Sequence, residues 1–341
     1  MTQRDASITQ FLTGTNWENA SRAPLAGDAS MRKYQRLGAG VDGRIAVLMD
    51  ADPALGNDVR PFVRITTYLR SLNLSAPEVY LQDDANGLLL LEDLGDALYA
   101  RVLEKDPAQE TLLYQAATDA LFELHCAPPP TLDHYDTALM CEMAALAFDW
   151  YQFGALDSCD ATAKTAFETA FSALLDTHVG APSVLIQRDY HAENLLWLPD
   201  RDGNRRVGLL DYQDALLGHP AYDLVSLLKD ARRDVSGDIE EAMIAHYVSI
   251  SQSNDTEFRN AYHVLGLQRN LRILGVFARL SMHYGKPSYI GLIPRVWNHI
   301  QSDLKHPVNA PVAELLSNEL PVPSAEILQR LKDKCATNPT L

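Results

Sequence analysis

The chain has 341 residues, 29 of them basic and 45 acidic, which gives a formal net charge of −16. A hydrophobic fraction of 47% with 22% charged residues excludes a wholly disordered protein. No apolar run approaches the roughly 20 residues that cross a bilayer, and the acidic excess argues against nucleic acid as a partner. The length favours two domains, or one domain built of two lobes.

The N-terminal residues and the cysteines predict a cytoplasmic protein. The start, MTQRDASITQF, has an early acidic residue and lacks the apolar core of a signal peptide. Cys126, Cys141, Cys159 and Cys335 are far apart and show no spacing typical of zinc ligands. We therefore expect free thiols, and no nucleic-acid or membrane partner. The sequence does not indicate an oligomeric state.

Residues 1–93 predict a small sheet with one helix packed on it. Short apolar segments flank turn-forming residues, and the segment DVRPFVRITTYLRSL has apolar residues at a helical period. The predicted elements are a helix over 5–13, strands over 32–37 and 44–50, a helix over 58–72, and two strands within 79–93 joined by Asp-Ala-Asn-Gly.

After Gly95 the pattern changes to long helices. We expect an α+β fold with a small, β-rich N-lobe over 1–93, a larger and mostly helical C-lobe over 94–341, and a short hinge at 93–96. The C-lobe helices are predicted to open at Asp106-Pro107 and to cover 137–152, 162–178, 219–231, 238–250 and 257–284, with short strands over 184–187, 195–198 and 207–210.

Two glycine-containing segments are candidates for binding phosphate. Gly38, Gly40 and Gly43 match G-x-G-x-x-G, but a strand rather than a helix follows them, so they predict a hairpin turn. The segment LAGDASMRKY contains a turn of small residues, whose backbone N–H groups could face phosphate oxygens. The candidate residues of this turn are Gly27, Asp28, Ala29 and Ser30, followed by the cations Arg32 and Lys33. An ordinary polar turn is the alternative.

The strongest chemical signal is IQRDYHAENLLWL, followed by VGLLDYQDA. Asp189 and Asn194 are five residues apart in a loop between apolar strands, and Asp211 follows the next strand. Phosphoryl transfer needs a carboxylate that orients the attacking hydroxyl, together with hard oxygen ligands for Mg²⁺. Asp189 is the candidate base, and Asn194 and Asp211 are the candidate metal ligands. Two ordinary polar loops are the alternative.

Three neighbouring residues are given supporting roles or none. Asp223, at the start of a predicted helix, is expected to bond backbone groups and hold the catalytic loop. His191 is expected to brace the same loop, and Asp214 to be a solvated carboxylate.

The motifs RDYHAEN, LLDYQDA and GHPAYDL resemble the aminoglycoside phosphotransferase and choline kinase superfamily, over nearly the whole chain. LAGDASMRKY and QRNLRILGVFARL further resemble bacterial kinases that phosphorylate the anomeric hydroxyl of N-acetylmuramate and N-acetylglucosamine in cell-wall recycling. The resemblance implies a bilobal, protein-kinase-like fold with Mg-ATP as the phosphate donor. The N-lobe would bind the nucleotide, with adenine held by hinge backbone near Glu92, Asp93 and Leu94, and the C-lobe would carry the catalytic loop and the substrate-binding helices.

The sequence departs from the superfamily pattern at two positions. Gln187 stands where the catalytic loop usually has a histidine, two residues before the base. Met49 stands where the third strand usually has a lysine that binds the α- and β-phosphates. The positive charge at the phosphates is then expected to come from Arg32 or Lys33.

The acceptor-binding residues are less clearly marked. Arg269, Arg272 and Arg279 lie near one face of a predicted helix and could bind an anion such as the lactyl carboxylate of N-acetylmuramate. A solvated basic face is the alternative. Trp150 could stack on a sugar ring or belong to the core.

Three functions are compatible with these observations. The first is an ATP-dependent kinase of an amino sugar. The second is a kinase for another alcohol, such as an aminoglycoside, choline or homoserine. The third is an inactive, kinase-like binding module, which the missing lysine suggests and the intact set of Asp189, Asn194 and Asp211 opposes.

Overall fold

A computed structural model describes residues 3–25 and 32–338. The helices are α1 (Gln3–Leu12), α2 (Arg60–Ser71), α3 (Tyr99–Lys105), α4 (Glu110–Cys126), α5 (Thr137–Leu146), α6 (Phe153–Leu156), α7 (Ala161–His178), α8 (Ala221–Leu228), α9 (Gly237–Ser251), α10 (Asp255–Met282), α11 (Ile293–Leu304), α12 (Ala310–Glu319) and α13 (Ala325–Asp333). The strands are β1 (Arg22–Leu25), β2 (Lys33–Leu37), β3 (Ala46–Asp50), β4 (Val79–Asp83), β5 (Leu88–Glu92), β6 (Val184–Ile186), β7 (Leu195–Trp197), β8 (Val207–Leu209) and β9 (Leu216–Gly218). No helix in the described ranges is both long enough and apolar enough to cross a bilayer.

The chain forms two compact units that each combine distant segments. The first contains Met1–Glu123 and Glu193–Ala215, and the second contains Leu124–Ala192 and Leu216–Leu341. The boundary between lobes that the sequence predicts, at residues 93 and 94, falls inside the first unit and stays a prediction.

The first unit contains a five-stranded antiparallel sheet in the order β1-β2-β3-β5-β4. Leu48 and Leu90 face a core that also contains Ile8 and Leu12 of α1, together with Trp17. The opposite face carries Tyr34, Met49 and Leu89, which are direct cross-strand partners. The predicted strands and the hairpin at Gly38–Gly43 are confirmed, whereas the edge strand β1 was not predicted.

The turn between β4 and β5 explains why a glycine ends the Asp-Ala-Asn-Gly segment. Gly87 has φ +62°, and a Cβ atom there would lie 2.1 Å from the carbonyl oxygen of Ala51. The side chain of Asp83 accepts hydrogen bonds from the backbone N–H and the side-chain amide of Asn86, at 3.0 and 2.7 Å. This turn places β5 and the hinge residues that follow it.

The second unit is mostly helical and is organised around α10, a helix of 28 residues. Helices α5, α8 and α11 pack against it. At the crossing of α5 and α10, a Cβ on Gly275 would lie 2.3 Å from the backbone of Leu146. The chain then continues from α5 as a π-helix over Ala147–Gln152.

Most of the predicted helices agree with the structure to within a few residues. Helix α10 covers Asp255–Met282 where 257–284 was predicted, and α8 is shorter than predicted, at Ala221–Leu228. The helical segment predicted over 137–152 is confirmed, and its last six residues form a π-helix. The sequence analysis did not predict α3, α11, α12, α13 or β9.

Candidate active site

The catalytic loop begins at the end of β6 and is held by a buried carboxylate. Asp223, in the first turn of α8, has no exposed surface. Its Oδ2 accepts a hydrogen bond from the backbone N–H of Gln187 at 2.6 Å, and its Oδ1 from that of Arg188 at 2.9 Å. Burial raises the pKa of Asp223, and these two N–H donors act in the opposite direction. The prediction that Asp223 holds the loop is confirmed.

Arg188 adopts a backbone conformation that is unusual for a residue other than glycine. Its φ is +73°, in the left-handed region, which costs free energy and persists only when the surroundings hold it. The bond from its N–H to Asp223 supplies part of that restraint, and its guanidinium lies 5.8 Å from the ring centre of Tyr135. The strained residue directly precedes Asp189, so it sets the direction in which the candidate base leaves the loop.

Asp189 lies among cationic side chains. Nη2 of Arg269 is 3.8 Å from its Oδ1, and 41% of the Asp189 side chain is exposed. Partial desolvation alone would raise its pKa, but Arg272 and Arg269, with smaller effects of His191 and Arg188, hold the pKa of Asp189 below its usual value. The carboxylate is therefore ionised at neutral pH and can accept a hydrogen bond from a hydroxyl group.

His191 is buried, with 5% of its surface exposed. Burial lowers its pKa below the usual value, although the nearby carboxylates of Asp230 and Asp189 act to raise it. The imidazole is therefore neutral at pH 7. The charges acting on it come from the catalytic loop, from the loop after α8 and from Arg269 of α10, so these three segments meet around His191.

The candidate metal ligands lie at the ends of two paired strands in the first unit. Leu195 of β7 is the cross-strand partner of Leu209 of β8, and the backbone N–H of Leu210 donates to the carbonyl oxygen of Asn194 at 3.0 Å. This pairing brings Asn194 close to Asp211. Asp211 has φ +59°, and its Oδ1 accepts a hydrogen bond from Gln213 at 2.9 Å.

These two residues suit Mg²⁺ by their chemistry. A carboxylate and an amide oxygen are hard donors, and Mg²⁺ commonly takes one or two such ligands and obtains the others from water and phosphate. Residues 3–25 and 32–338 contain no cluster of three or more His, Cys, Asp or Glu side chains that would hold a metal without such help. The residues present therefore fit a magnesium ion that arrives with a nucleotide.

The side chains of the predicted hinge already have protein partners. Oε1 of Glu92 accepts a hydrogen bond from Arg201 at 2.6 Å. Asp93 accepts hydrogen bonds from Nε of Arg36 at 2.5 Å and from the backbone N–H of Gly95 at 2.8 Å. These ion pairs fix the segment from Glu92 to Leu94, and they leave its backbone, rather than its carboxylates, as the part suited to a nucleotide base.

The two cations predicted to replace the strand lysine lie differently. Burial raises the pKa of Tyr34 to about 12. Arg32, which is hydrogen-bonded to Tyr34, acts to lower this pKa, and the negative charge of Asp211 acts to raise it. Arg32 therefore lies on the side of the sheet where Met49 and Asp211 are found. Lys33 pairs with Asp50 across the strands, so it faces the other way. The predicted phosphate turn, from Gly27 to Ser30, lies outside the described residues.

The candidate acceptor-binding residues, three on α10 and one in the π-helix after α5, lie at different distances from the base. Arg269 is 3% exposed, and it and Arg272 act directly on Asp189. Arg279 is seven residues beyond Arg272, which corresponds to about 10 Å along the helix. Trp150 is 7% exposed and packs edge-on against His283, with ring centres 6.1 Å apart. Arg269 and Arg272 therefore lie beside the candidate base. Arg279 lies further along α10, and Trp150 packs against His283, the residue that follows this helix.

Sequence reasoning missed Asp230 and Tyr34. The charged run KDARRD, four residues after the GHPAYDL motif, was the available signal for Asp230. For Tyr34, the signal was its position two residues after Arg32 within one predicted strand, which places both side chains on the same face of the sheet.

Comparisons with known proteins agree with this geometry. Residues 21–261 match the phosphotransferase enzyme family. The chain is 38% identical to an N-acetylmuramate/N-acetylglucosamine kinase of Caulobacter vibrioides, over 94% of this chain and 98% of that protein. An ethanolamine kinase of Plasmodium vivax has a similar structure, with a TM-score of 0.60 at 12% identity over 89% of this chain and 87% of that one.

A second solved structure, a ternary complex of streptomycin, ATP and APH(2")-IIa, gives a TM-score of 0.55 at 14% identity, over 80% of this chain and 90% of that one. Likeness at this level of identity concerns the fold alone. It confirms the α+β, protein-kinase-like fold that the sequence predicts.

Proposed function

Since this chain belongs to the phosphotransferase enzyme family and is a small-molecule phosphotransferase, we propose that it phosphorylates an amino sugar. The reaction is transfer of the γ-phosphoryl group of ATP to the anomeric hydroxyl of N-acetylmuramate and N-acetylglucosamine. The observation that carries this proposal is the 38% identity to a kinase named for both sugars, over nearly the whole of both proteins. Because that likeness extends through α10, it includes the helix whose arginines lie beside the base.

Asp189 is the residue that receives the acceptor hydroxyl. Its ionised carboxylate, 41% exposed, can accept a hydrogen bond from the hydroxyl and take up the proton late in the transfer. A carboxylate with a lowered pKa is a weak base. An anomeric hydroxyl is more acidic than an ordinary alcohol, so it suits such a base.

The nucleotide is proposed to bind the residues that the sequence marks for it. Asn194 and Asp211 would hold Mg²⁺, which when bound neutralises charge on the phosphate groups. The adenine would contact the backbone of Glu92, Asp93 and Leu94. The turn of Gly27, Asp28, Ala29 and Ser30 would cover the phosphates, with Arg32 or Lys33 supplying charge in place of the usual lysine. Arg32 is favoured, because it lies near Tyr34 and Asp211.

The sugar is proposed to bind beside Asp189, next to the arginines of α10. Nε and Nη1 of Arg269 are buried and have no hydrogen-bond partner among the described residues, which is costly unless a ligand supplies acceptors. A lactyl carboxylate or a sugar oxygen would do so. Arg272 completes the proposed set, whereas Arg279 and the buried Trp150 lie too far along the helix to belong to it. We propose the cytoplasm as the compartment, because ATP is supplied there.

An acceptor panel tests the proposal. The purified full chain is mixed with Mg-ATP and each of N-acetylmuramate, N-acetylglucosamine, their methyl glycosides blocked at the anomeric oxygen, choline and an aminoglycoside, and ATP consumption is followed. We expect turnover of the two free sugars and none of the blocked glycosides. Phosphorylation of a methyl glycoside, or a preference for the aminoglycoside, would refute the proposal.

Replacing Asp189 with alanine should lower kcat with the best acceptor by ~10²–10⁴-fold, since a positioned general base contributes about that much. ATP affinity, measured by calorimetry, should stay near the wild-type value. The control is Asp200→Ala, which removes an exposed carboxylate between β7 and β8. If the two variants turn over equally fast, Asp189 is not the base.

A further inference from the structure

One buried carboxylate near the base has no role in the function described so far. Asp230, in the loop after α8, is 1% exposed. Its Oδ1 accepts a hydrogen bond from the backbone N–H of Arg232 at 2.8 Å. Its Oδ2 is also buried and has no hydrogen-bond partner among the described residues. Since buried carboxylate oxygens are normally paired, Asp230 has a hydrogen-bonding capacity that the chain itself does not use.

Two side chains of α11 hold the loop that carries Asp230. Nε2 of His299 lies 3.3 Å from the main-chain oxygen of Asp230, and Nη1 of Arg295 donates to the carbonyl oxygen of Ala231 at 3.1 Å. The direction of the Asp230 side chain is further set by the contact of its Oδ1 with Arg232. The Asp230 side chain is therefore held in one direction, so a ligand need not order it on binding. A ligand reaches the buried Oδ2 once the side chains that cover it move aside.

Asp230 follows α8, whose Asp223 and Ser226 bond the backbone of the loop that carries Asp189. The Asp230 carboxylate acts on His191, as do the charges of Asp189 and Arg269. Arg269 is also buried, but it offers hydrogen-bond donors where Asp230 offers an acceptor. Its Nε and Nη1 donors have no partner among the described residues. The described residues therefore leave an unpaired acceptor and unpaired donors close to the candidate base. Water can fill such a site, but a sugar offers hydroxyl donors and oxygen acceptors side by side.

The charge of the surroundings restricts the donor that Asp230 takes. Arg269 and Arg272 lie close to Asp189, so the negative charge at the base is already offset. A neutral O–H or N–H group therefore suits the site better than an ammonium group, which would meet these arginines. This favours a neutral sugar over a polycationic acceptor.

We propose that Asp230 is a sugar-recognition residue, whose Oδ2 accepts a hydrogen bond from one hydroxyl or amide N–H group of the acceptor. Arg269 donates to an oxygen of the same sugar. This inference rests on the proposed function and deepens it, because it names a residue that selects the substrate.

The test uses Asp230→Asn in the full chain. Asparagine keeps an oxygen for the N–H of Arg232 and replaces the Oδ2 acceptor by a donor, so it changes recognition more than structure. We expect KM for N-acetylglucosamine to rise by ~10- to 100-fold, the effect of one hydrogen bond to a charged group, with kcat and the KM for ATP nearly unchanged. The control is Asp238→Asn, the same change at an exposed carboxylate in the first turn of α9.

Substrate analogues separate recognition from a structural effect. Wild type and Asp230→Asn are compared on analogues of N-acetylglucosamine that each lack one hydroxyl, and on glucose, which lacks the amide. The analogue without the group that Asp230 binds should lose affinity in wild type and lose little more in the variant. An unchanged KM, or a raised KM that no analogue abolishes, would overturn the role of Asp230. If wild type phosphorylates no sugar at all, both the proposed function and this inference fail.

Discussion

Asp223 holds the candidate catalytic loop through two hydrogen bonds, so the loss of unfolding free energy on replacing it can be worked out from the structure. In Asp223→Ala, two buried backbone N–H groups, those of Gln187 and Arg188, lose their acceptors. Each unpaired buried donor costs about 1–3 kcal/mol, so the free energy of unfolding should fall by about 2–6 kcal/mol. Asp223→Asn keeps one acceptor oxygen and should lose roughly half as much, by the same reasoning.

Urea denaturation followed by circular dichroism measures this loss, and kcat is measured on the same preparations. Turnover should fall in both variants, because the residue after Arg188 is the base and its direction depends on the loop. The control is Asp238→Ala, at an exposed site in the first turn of α9, which should cost less than about 1 kcal/mol. If Asp223→Ala lies within ~1 kcal/mol of wild type and keeps its kcat, the loop does not depend on this carboxylate.

Three further results are expected. Asp211→Asn should weaken Mg-dependent ATP binding, measured by calorimetry with and without Mg²⁺, more than Asn194→Ala does, because it removes a full ligand charge; equal losses would contradict the metal assignment. Arg32→Ala should raise the KM for ATP and Lys33→Ala should not, since they face opposite sides of the sheet; the reverse result would make Lys33 the phosphate ligand. Arg269→Gln should move the acid limb of the kcat–pH profile to higher pH, because losing the guanidinium raises the pKa of the base; an unmoved limb would show that this arginine does not act on the base.

The local chemistry of the site could be predicted because it follows from short-range patterns. Apolar strands of three or four residues ending in polar loops identify the neighbourhood of Asp189, Asn194 and Asp211, and β6, β7 and β8 lie within one residue of the predicted segments. The backbone conformation could not be predicted in the same way. The left-handed φ of Arg188 is held by Asp223, a partner distant in the chain that no local pattern encodes.

The burial of charged residues could not be predicted from the sequence either. Arg269 and Asp230 are charged residues that are 3% and 1% exposed, and a pattern of charges on a helix or in a loop more often marks a solvated face. Strand β9 has three residues, too few to show an alternating pattern. The π-helix that carries Trp150 has the same apolar character as an α-helix and could not be distinguished from one.

The contact between Gly275 and Leu146 has a consequence for how new acceptors could evolve. Any side chain at position 275 would meet the backbone of α5 and force the two helices apart. Arg272 lies about one turn earlier on the same helix, so such a change would shift the part of α10 that carries Arg269 and Arg272 without altering either of them. With the acceptor bound beside these arginines, as proposed, substrate range can change through a residue that never touches substrate.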